Sequence, residues 1–251
     1  MIRSASVAAL AVLVLSGCQR QEAPAEKAPP TTPPAAEAAA PPVETLSEDQ
    51  LRALAFRAAW DAPPPVRRTV KDGDAADTFT YAGGRLTPLG RNRYALVSSG
   101  QGGEGHVHGG ALSIHYLERT ADGFRRLGAW PEIVTGGTFG NAPEWKVRDD
   151  LTPAPALEAS AGGTWQGYAC GWTDLIELTP ERPVVRAQSL HTSYSSSGAD
   201  ENATDGFEGV LTPGDKGRSC RIRYTSLPTP VTYVKVGEVY DPVDPPDMPW
   251  C

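Results

Sequence analysis

The stretch Ala111-Leu-Ser-Ile-His-Tyr-Leu117 decides the fold, because it has the alternating pattern of a β-strand. Leu112, Ile114 and Tyr116 share one face, since successive side chains of an extended chain point to opposite sides. The following stretch, Thr120-Ala-Asp-Gly-Phe-Arg-Arg-Leu127, contains Asp-Gly, a dipeptide typical of tight hairpin turns, and then returns as a second short run. These residues predict an antiparallel β-hairpin.

Two further hairpins follow from the same kind of pattern, over residues 175–186 and 220–236. Short β-branched, aromatic and leucine runs between Gly, Pro, Asn and Asp predict a mainly β domain. We expect an antiparallel sandwich or distorted barrel built of β-hairpins. A small propeller-like array is the alternative, although the hairpins do not recur with the constant spacing that a propeller requires.

One short helix is predicted at the start of this domain, from Glu48 to Trp60. Ser47 and Gln50 have the spacing of a capping box, in which each side chain accepts a hydrogen bond from the other residue's backbone. Leu51 and Leu54 then follow at helical spacing. Residues 63–65 are three prolines, which cannot continue a helix.

The first 18 residues have one positive charge at Arg3, then an apolar run from Ala5 to Leu15. This N-terminal segment ends in Leu15-Ser16-Gly17-Cys18. The run is shorter than the roughly 20 residues that span a bilayer and has the size of a signal-peptide core. The four residues resemble the lipobox of bacterial lipoproteins. The resemblance implies that residues 1–17 are a signal peptide and that Cys18 carries acyl chains. It also implies an outer-membrane location, facing the periplasm or the cell surface, because Gln19 rather than aspartate follows the cysteine.

The chain after Cys18 divides by composition into three parts. Residues 18–45 are rich in alanine and proline, which favours a disordered tether because such a segment buries little apolar surface. Residues 46–240 are long enough to form a single β-rich domain with its own core. Residues 241–251 form a C-terminal tail rich in proline and aspartate.

The net charge of −7 restricts the partners. Nucleic acid is excluded, because binding it requires a basic surface. The predicted membrane contact is therefore the lipid anchor alone, and the remaining candidate partner is an envelope protein or an envelope glycan.

Four cysteines are present, and lipidation of Cys18 would leave three. Thiols of an exported protein are expected to pair. We predict a disulfide between Cys170 and Cys220, both in strand-rich sequence, with Cys251 as a competing partner.

A glycine-rich segment, Gly100-Gln-Gly-Gly-Glu-Gly-His-Val-His-Gly-Gly110, contains the candidate metal ligands. If the segment is extended, Glu104, His106 and His108 project to one side. Imidazole and carboxylate ligands suit Zn²⁺ or Cu²⁺. The alternative is a glycine loop with two solvated histidines and no cofactor.

Two aromatic residues follow Gly-Gly-Thr, namely Phe139 after residues 136–138 and Trp165 after residues 162–164. We predict a turn at each motif. The aromatic residues either cover one end of the core or form a platform for a sugar ring or a peptide.

No nucleophile elbow, phosphate-binding loop, His-Glu-x-x-His or Cys-x-x-Cys motif occurs in the sequence. The leading hypothesis is a membrane-anchored, exported lipoprotein whose β-rich domain is a non-enzymatic binding or envelope-associated module, since the sequence specifies no reaction. The alternative is a metal-binding protein or metal-dependent hydrolase that uses Glu104, His106 and His108.

Overall fold

The computed structural model describes residues 46–73, 75–200, 202–203 and 206–249. The predicted signal peptide, the lipidation site at Cys18 and the tether lie outside these residues, and so does Cys251. All described residues fall within one compact unit, Ala40–Cys251.

The domain begins with the predicted helix α1, which spans Glu48–Trp60. Both hydrogen bonds of the capping box are present: the Gln50 amide donates to the Ser47 hydroxyl at 3.3 Å, and the Ser47 amide donates to the Gln50 side chain at 2.9 Å. The helix ends at Asp61, which adopts a left-handed backbone conformation. The local sequence therefore determines both ends of α1.

The rest of the described chain is built of antiparallel strands, as predicted. Their bounds are β1 (Val66–Asp72), β2 (Ala75–Tyr81), β3 (Arg85–Gly90), β4 (Arg93–Gln101), β5 (Gly110–Thr120), β6 (Gly123–Gly136), β7 (Glu144–Arg148), β8 (Ala156–Trp165), β9 (Tyr168–Leu178), β10 (Pro183–Ser195), β11 (Gly206–Pro213), β12 (Ser219–Tyr224), β13 (Val231–Val236) and β14 (Val239–Val243). The last strand continues into the stretch predicted as tail, so strand structure extends beyond residue 240.

The strands form two sheets. The first has the order β1-β2-β4-β5-β6, with β3 also pairing with β4, and the second runs from β14 to β7 in consecutive order. The three predicted hairpins are present as β5–β6, β9–β10 and β12–β13. The second sheet is thus one continuous meander, and the two antiparallel sheets match the sandwich or distorted-barrel prediction rather than the propeller alternative.

The two sheets pack face to face through one apolar layer. Leu112, Ile114 and Tyr116 of β5 lie in the same buried cluster as Leu157 of β8 and Ile176 of β9. Burial of such aliphatic and aromatic side chains contributes roughly 1.5–3 kcal/mol each. The alternation predicted for β5 therefore identifies the face that joins the sheets.

The opposite face of β5 is covered by helix α1. His115 is buried against Trp60, with ring centroids 4.5 Å apart. Desolvation, together with the positive charges of Arg126 and Arg68, lowers the pKa of His115 to about 4. His115 is thus a neutral core residue under the helix.

The second sheet curls and encloses a separate apolar cluster on its concave side. The curl coincides with three register shifts in the pairing of β10 with β9. Bulges of this kind increase the local twist of a sheet. The enclosed cluster includes Leu175, Tyr194, Ile222 and Tyr240, which come from strands β9, β10, β12 and β14. The sheet therefore forms a half-barrel beside the sandwich.

Among the described residues, no helix is long and apolar enough to span a membrane.

Candidate functional site

The glycine-rich loop connects β4 to β5 and is held against the segment that follows β6. The Gly102 amide donates to the Gly140 carbonyl at 2.8 Å, and the Gly140 amide donates to the His108 carbonyl at 2.8 Å. A Cβ atom on Gly102 would lie 1.9 Å from the Gly109 carbonyl oxygen, so a larger residue would displace the backbone. The glycines thus allow two chain segments to pack directly against each other.

The loop does not have the extended conformation on which the metal prediction depended. The His108 amide donates to the Gly105 carbonyl at 3.0 Å, which closes a turn through His106. The turn separates the side chains: the His106 ring packs edge-on against Phe139, with centroids 5.0 Å apart, and the His108 Nδ1 lies 3.4 Å from the Asp77 carboxylate.

Glu104 is exposed in the same loop. Within the described residues, no three His, Cys, Asp or Glu side chains are grouped as metal ligands. The expected projection of Glu104, His106 and His108 to one side is therefore wrong, because the chain turns between them.

A cleft of about 420 Å³ lies beside this loop and combines several features singled out by the sequence. Strands β1 and β2 of the first sheet, the glycine loop, the end of β6 and the β8–β9 hairpin all contribute to it. The described lining residues are Val70, Ala75, Asp77, Phe79, Val107, His108, Gly109, Gly110, Glu132, Thr135, Gly136, Gly137, Trp165 and Trp172. Its volume lies within the roughly 300–1,000 Å³ typical of small-ligand sites.

Two tryptophans form the aromatic side of the cleft. Trp165 and Trp172 stack with ring centroids 6.1 Å apart and planes inclined by 22°. Trp165 remains 37% exposed, so part of its ring is available to a ligand. A Cβ atom on Gly163 would lie 2.4 Å from the Trp165 ring. Gly163 therefore lets the indole lie flat over the strand backbone.

The two Gly-Gly-Thr motifs differ in structure. Gly136 ends β6 and Gly137 has a positive φ of 89°, so the first motif leads into an irregular segment. Residues 162–164 instead lie within β8, and the turn comes later, at Gln166-Gly167. The turn predicted at the second Gly-Gly-Thr motif therefore lies after Trp165 and not before it. Trp165 lines the cleft, whereas Phe139 is 54% exposed and packs on His106 outside the cleft lining.

Glu132 is a cleft residue that the sequence analysis did not identify. It lies opposite Ser113 at a register shift of β6, with a positive φ of 48°. Its side chain is only 9% exposed. Arg68 Nε donates to Glu132 at 3.0 Å and the Tyr81 hydroxyl donates to it at 2.9 Å. A proline within a strand pattern is the signal that could have indicated this bulge, and Pro131 provides it.

The charged network around Glu132 fixes the base of the cleft. Burial raises the pKa of Tyr81, which keeps its hydroxyl protonated as a hydrogen-bond donor. Arg68 makes a second contact, from Nη2 to Glu132 Oε2 at 3.2 Å, so the pair is bidentate. Bidentate arginine–carboxylate pairs have a fixed geometry. Glu132 is therefore a positioned, neutralised carboxylate rather than an unpaired charge.

A second groove is lined by residues 141–145, which follow β6, together with residues of β2, β3 and β4. Arg85 stacks over the Trp145 ring at 3.9 Å from its centroid, and the Trp145 indole donates to the Ser99 hydroxyl at 3.3 Å. Thr80, Gln101 and other polar residues also line this groove. This groove thus also places a tryptophan beside hydrogen-bonding side chains.

The cysteines do not pair as predicted. Cys220 is a free thiol with no exposed surface, and burial raises its pKa to about 11. Cys170 is disulfide-bonded. The predicted Cys170–Cys220 disulfide is therefore wrong, because Cys220 is enclosed in the half-barrel core as a small apolar side chain.

No family model, curated protein or solved structure matches this chain.

Proposed function

We propose that this chain is an exported, lipid-anchored protein of the cell envelope whose β domain binds a saccharide and catalyses no reaction. The observation that carries the proposal is the stacked Trp165–Trp172 pair on one side of a cleft that also presents polar side chains. The lipid anchor is inferred from the lipobox resemblance at Cys18. The location follows from the same resemblance and is the outer membrane, facing the periplasm or the cell surface.

The chemistry of the cleft favours a sugar ring over an extended apolar peptide. A tryptophan ring offers a flat apolar face together with an N–H donor. The His108–Asp77 pair and the Thr135 side chain offer donors and acceptors for hydroxyl groups in the same cleft. Flat apolar surface beside several hydrogen-bonding groups matches the two chemically different faces of a sugar.

The charge of the cleft further restricts the saccharide. Asp77 and Glu132 are both acidic, and only Glu132 is neutralised by an arginine, Arg68. The chain as a whole is acidic as well. An anionic sugar would therefore be repelled, since like charges that face each other across an interface oppose binding. We infer an uncharged ligand, such as an N-acetylated hexose unit.

The metal-dependent alternative receives no comparable support. The turn at Gly105–His108 directs His106 toward Phe139 and His108 toward Asp77. A bound Zn²⁺ or Cu²⁺ at Glu104, His106 and His108 would require the loop to rearrange.

Saccharide binding is tested by titrating the purified chain with the tetrasaccharide of N-acetylglucosamine in a calorimeter. We expect Trp165→Ala to weaken binding at least tenfold, a loss of about 1.4 kcal/mol. Tyr168→Ala is the matched control, because Tyr168 is 41% exposed and pairs with Trp165 in the same hairpin but stacks on Tyr194 instead.

The proposal is overturned if the tetrasaccharide does not bind, or if both variants bind it as the unmodified chain does. Equal weakening by the two substitutions would also contradict it, because the effect would then belong to the hairpin and not to the cleft.

The anchor is tested separately by fractionating cells that express the Cys18→Ala variant. We expect the variant to leave the membrane fraction. Its full retention there would refute lipidation at Cys18.

A further inference from the structure

The half-barrel encloses a second cavity, of about 560 Å³, which is separate from the saccharide cleft. Strand β10 forms one side, and β12, β13 and β14 form the other. Two polar contacts join these sides: Arg186 Nη1 donates to the Glu238 carbonyl at 2.8 Å, and Arg182 pairs with the Glu238 carboxylate at 3.0 Å. The strands on the two sides of the cavity are therefore linked by these side-chain contacts as well as by the backbone hydrogen bonds of the sheet.

Most of the lining is apolar or aromatic. The apolar and aromatic members are Val185, Ala187, Leu190, Tyr224, Val231, Tyr233, Val239, Tyr240, Pro242, Pro245, Pro246 and Met248. Leu190, Tyr224 and Tyr233 are buried core residues, so the wall is part of the folded interior. A cavity with such a lining favours an apolar ligand, because ligand and wall both leave water.

The polar lining residues are grouped and uncharged except for one carboxylate. They are Gln188, Ser189, His191 and Asp241. Desolvation lowers the pKa of His191, so its imidazole is neutral at pH 7. Ser189 has a positive φ of 52°, and its amide donates to Asp174 at 2.6 Å, which fixes this edge of the cavity.

The described lining contains no lysine or arginine. An anionic head group would therefore meet Asp241 without any cation to neutralise it. Gln188, Ser189 and neutral His191 can exchange hydrogen bonds with hydroxyl or amide groups. The polar edge consequently selects an uncharged head and disfavours a carboxylate.

We propose that the half-barrel cavity binds a single-chain, uncharged amphiphile, such as a monoacylglycerol, with its chain among the tyrosines and valines and its hydroxyl groups at Gln188, Ser189 and His191. This ligand site is independent of the saccharide cleft. It places an apolar ligand and a glycan on two separate surfaces of one envelope protein.

The segment after β14 covers one side of this cavity. Pro245, Pro246 and Met248 contribute to its wall, and Met248 packs against the buried cluster of the half-barrel. Prolines favour an extended conformation with little entropy to lose on ordering. The segment therefore forms a preformed cover over the apolar ligand.

The test uses N-phenyl-1-naphthylamine, an uncharged dye whose fluorescence rises in apolar surroundings, added to the purified chain without detergent. We expect saturable binding of the dye. Below their critical micelle concentrations, 1-monolauroylglycerol should displace the dye at least tenfold more effectively than laurate, which has the same chain with a carboxylate head.

A cavity-filling variant locates the site. Val239→Trp adds a large side chain at a lining residue that is 43% exposed, and we expect it to weaken dye binding at least fivefold. Val210→Trp is the matched control, because Val210 is a 62% exposed valine on β11 outside the lining. Circular dichroism of both variants verifies that they remain folded.

Absence of saturable dye binding would overturn the proposal, and so would equal dye binding by the two folded variants. Displacement by laurate as effective as by the glycerol ester would refute selection of an uncharged head. If Val239→Trp fails to fold, Ala187→Leu provides the second cavity-filling variant, since Ala187 of β10 lines the other side of the same cavity.

Discussion

The buried ion pair between Glu177 of β9 and Arg186 of β10 provides the sharpest prediction about what holds the half-barrel together. Arg186 Nε donates to Glu177 Oε2 at 2.6 Å, and the two side chains are 9% and 5% exposed. Glu177 also accepts the Ala154 amide at 3.1 Å. Arg186 continues to the Glu238 carbonyl and so joins β10 to the β13–β14 turn.

The perturbation is Glu177→Gln, which keeps the shape and the acceptor for Ala154 but removes the charge. Loss of one partner leaves an uncompensated buried guanidinium, which costs about 3–5 kcal/mol. We expect about 3 kcal/mol, because the amide oxygen can still accept from Arg186. A domain stability of roughly 5–15 kcal/mol makes this a large fraction of the total.

Urea unfolding followed by tryptophan fluorescence measures the loss. With an m-value of about 2 kcal/mol/M, the midpoint should fall by about 1.5 M. The control is Glu238→Gln, which breaks the exposed Arg182–Glu238 pair and leaves the Glu238 carbonyl in place. Its expected cost is below about 1 kcal/mol. A loss below 1 kcal/mol for Glu177→Gln, or an equal loss for both variants, would refute the role assigned to this pair.

Three further predictions concern single residues elsewhere in the fold. The pKa of His115 is about 4 in the folded state, below its usual 6.5. As the pH falls, the unfolded state therefore takes up a proton at this residue before the folded state does. Stability should therefore fall by about 3 kcal/mol between pH 6.5 and pH 4 through this group alone. His115→Phe should show a shallower decline over that range, and an unchanged pH profile would contradict the assignment. Cys220 should resist iodoacetamide at pH 8 in the native chain and react after unfolding without reductant, whereas rapid native labelling would show that it is accessible. Gly163→Ala should lower saccharide affinity by displacing the Trp165 ring, while Gly83→Ala, which meets open space, should not; equal affinities would contradict the packing role of Gly163.

Local sequence predicted the elements whose stability is local. The capping box at Ser47 and Gln50 defines the start of α1 without help from tertiary structure. Asp122-Gly123 likewise determines where β5 returns as β6, and the alternation of Leu112, Ile114 and Tyr116 identifies the face that packs on the second sheet. In each case the signal lies within a few residues of the feature that it predicts.

The candidate site was predictable only in its parts, because contacts between distant segments assemble it. Trp165 was identified from sequence, but its partner Trp172 and the carboxylate of Glu132 reach the cleft through strand pairing and a bulge. The extended conformation expected for residues 104–108 is absent, because backbone hydrogen bonds such as those from Gly102 to Gly140 and from His108 to Gly105 fix a turn in this loop. The cysteine prediction failed because residue spacing does not reveal which thiols are enclosed in the core.

The most direct test of saccharide binding is an NMR titration of the ¹⁵N-labelled chain with the N-acetylglucosamine tetrasaccharide. The six tryptophans give six indole N–H signals, which single Trp→Phe substitutions can assign. We expect the indole signals of Trp165 and Trp172 to shift together and saturably, whereas that of Trp60, the last residue of α1, which packs on His115, stays in place. Saturable shifts confined to other tryptophans, or the absence of any shift, would contradict the assignment of the cleft as the binding site.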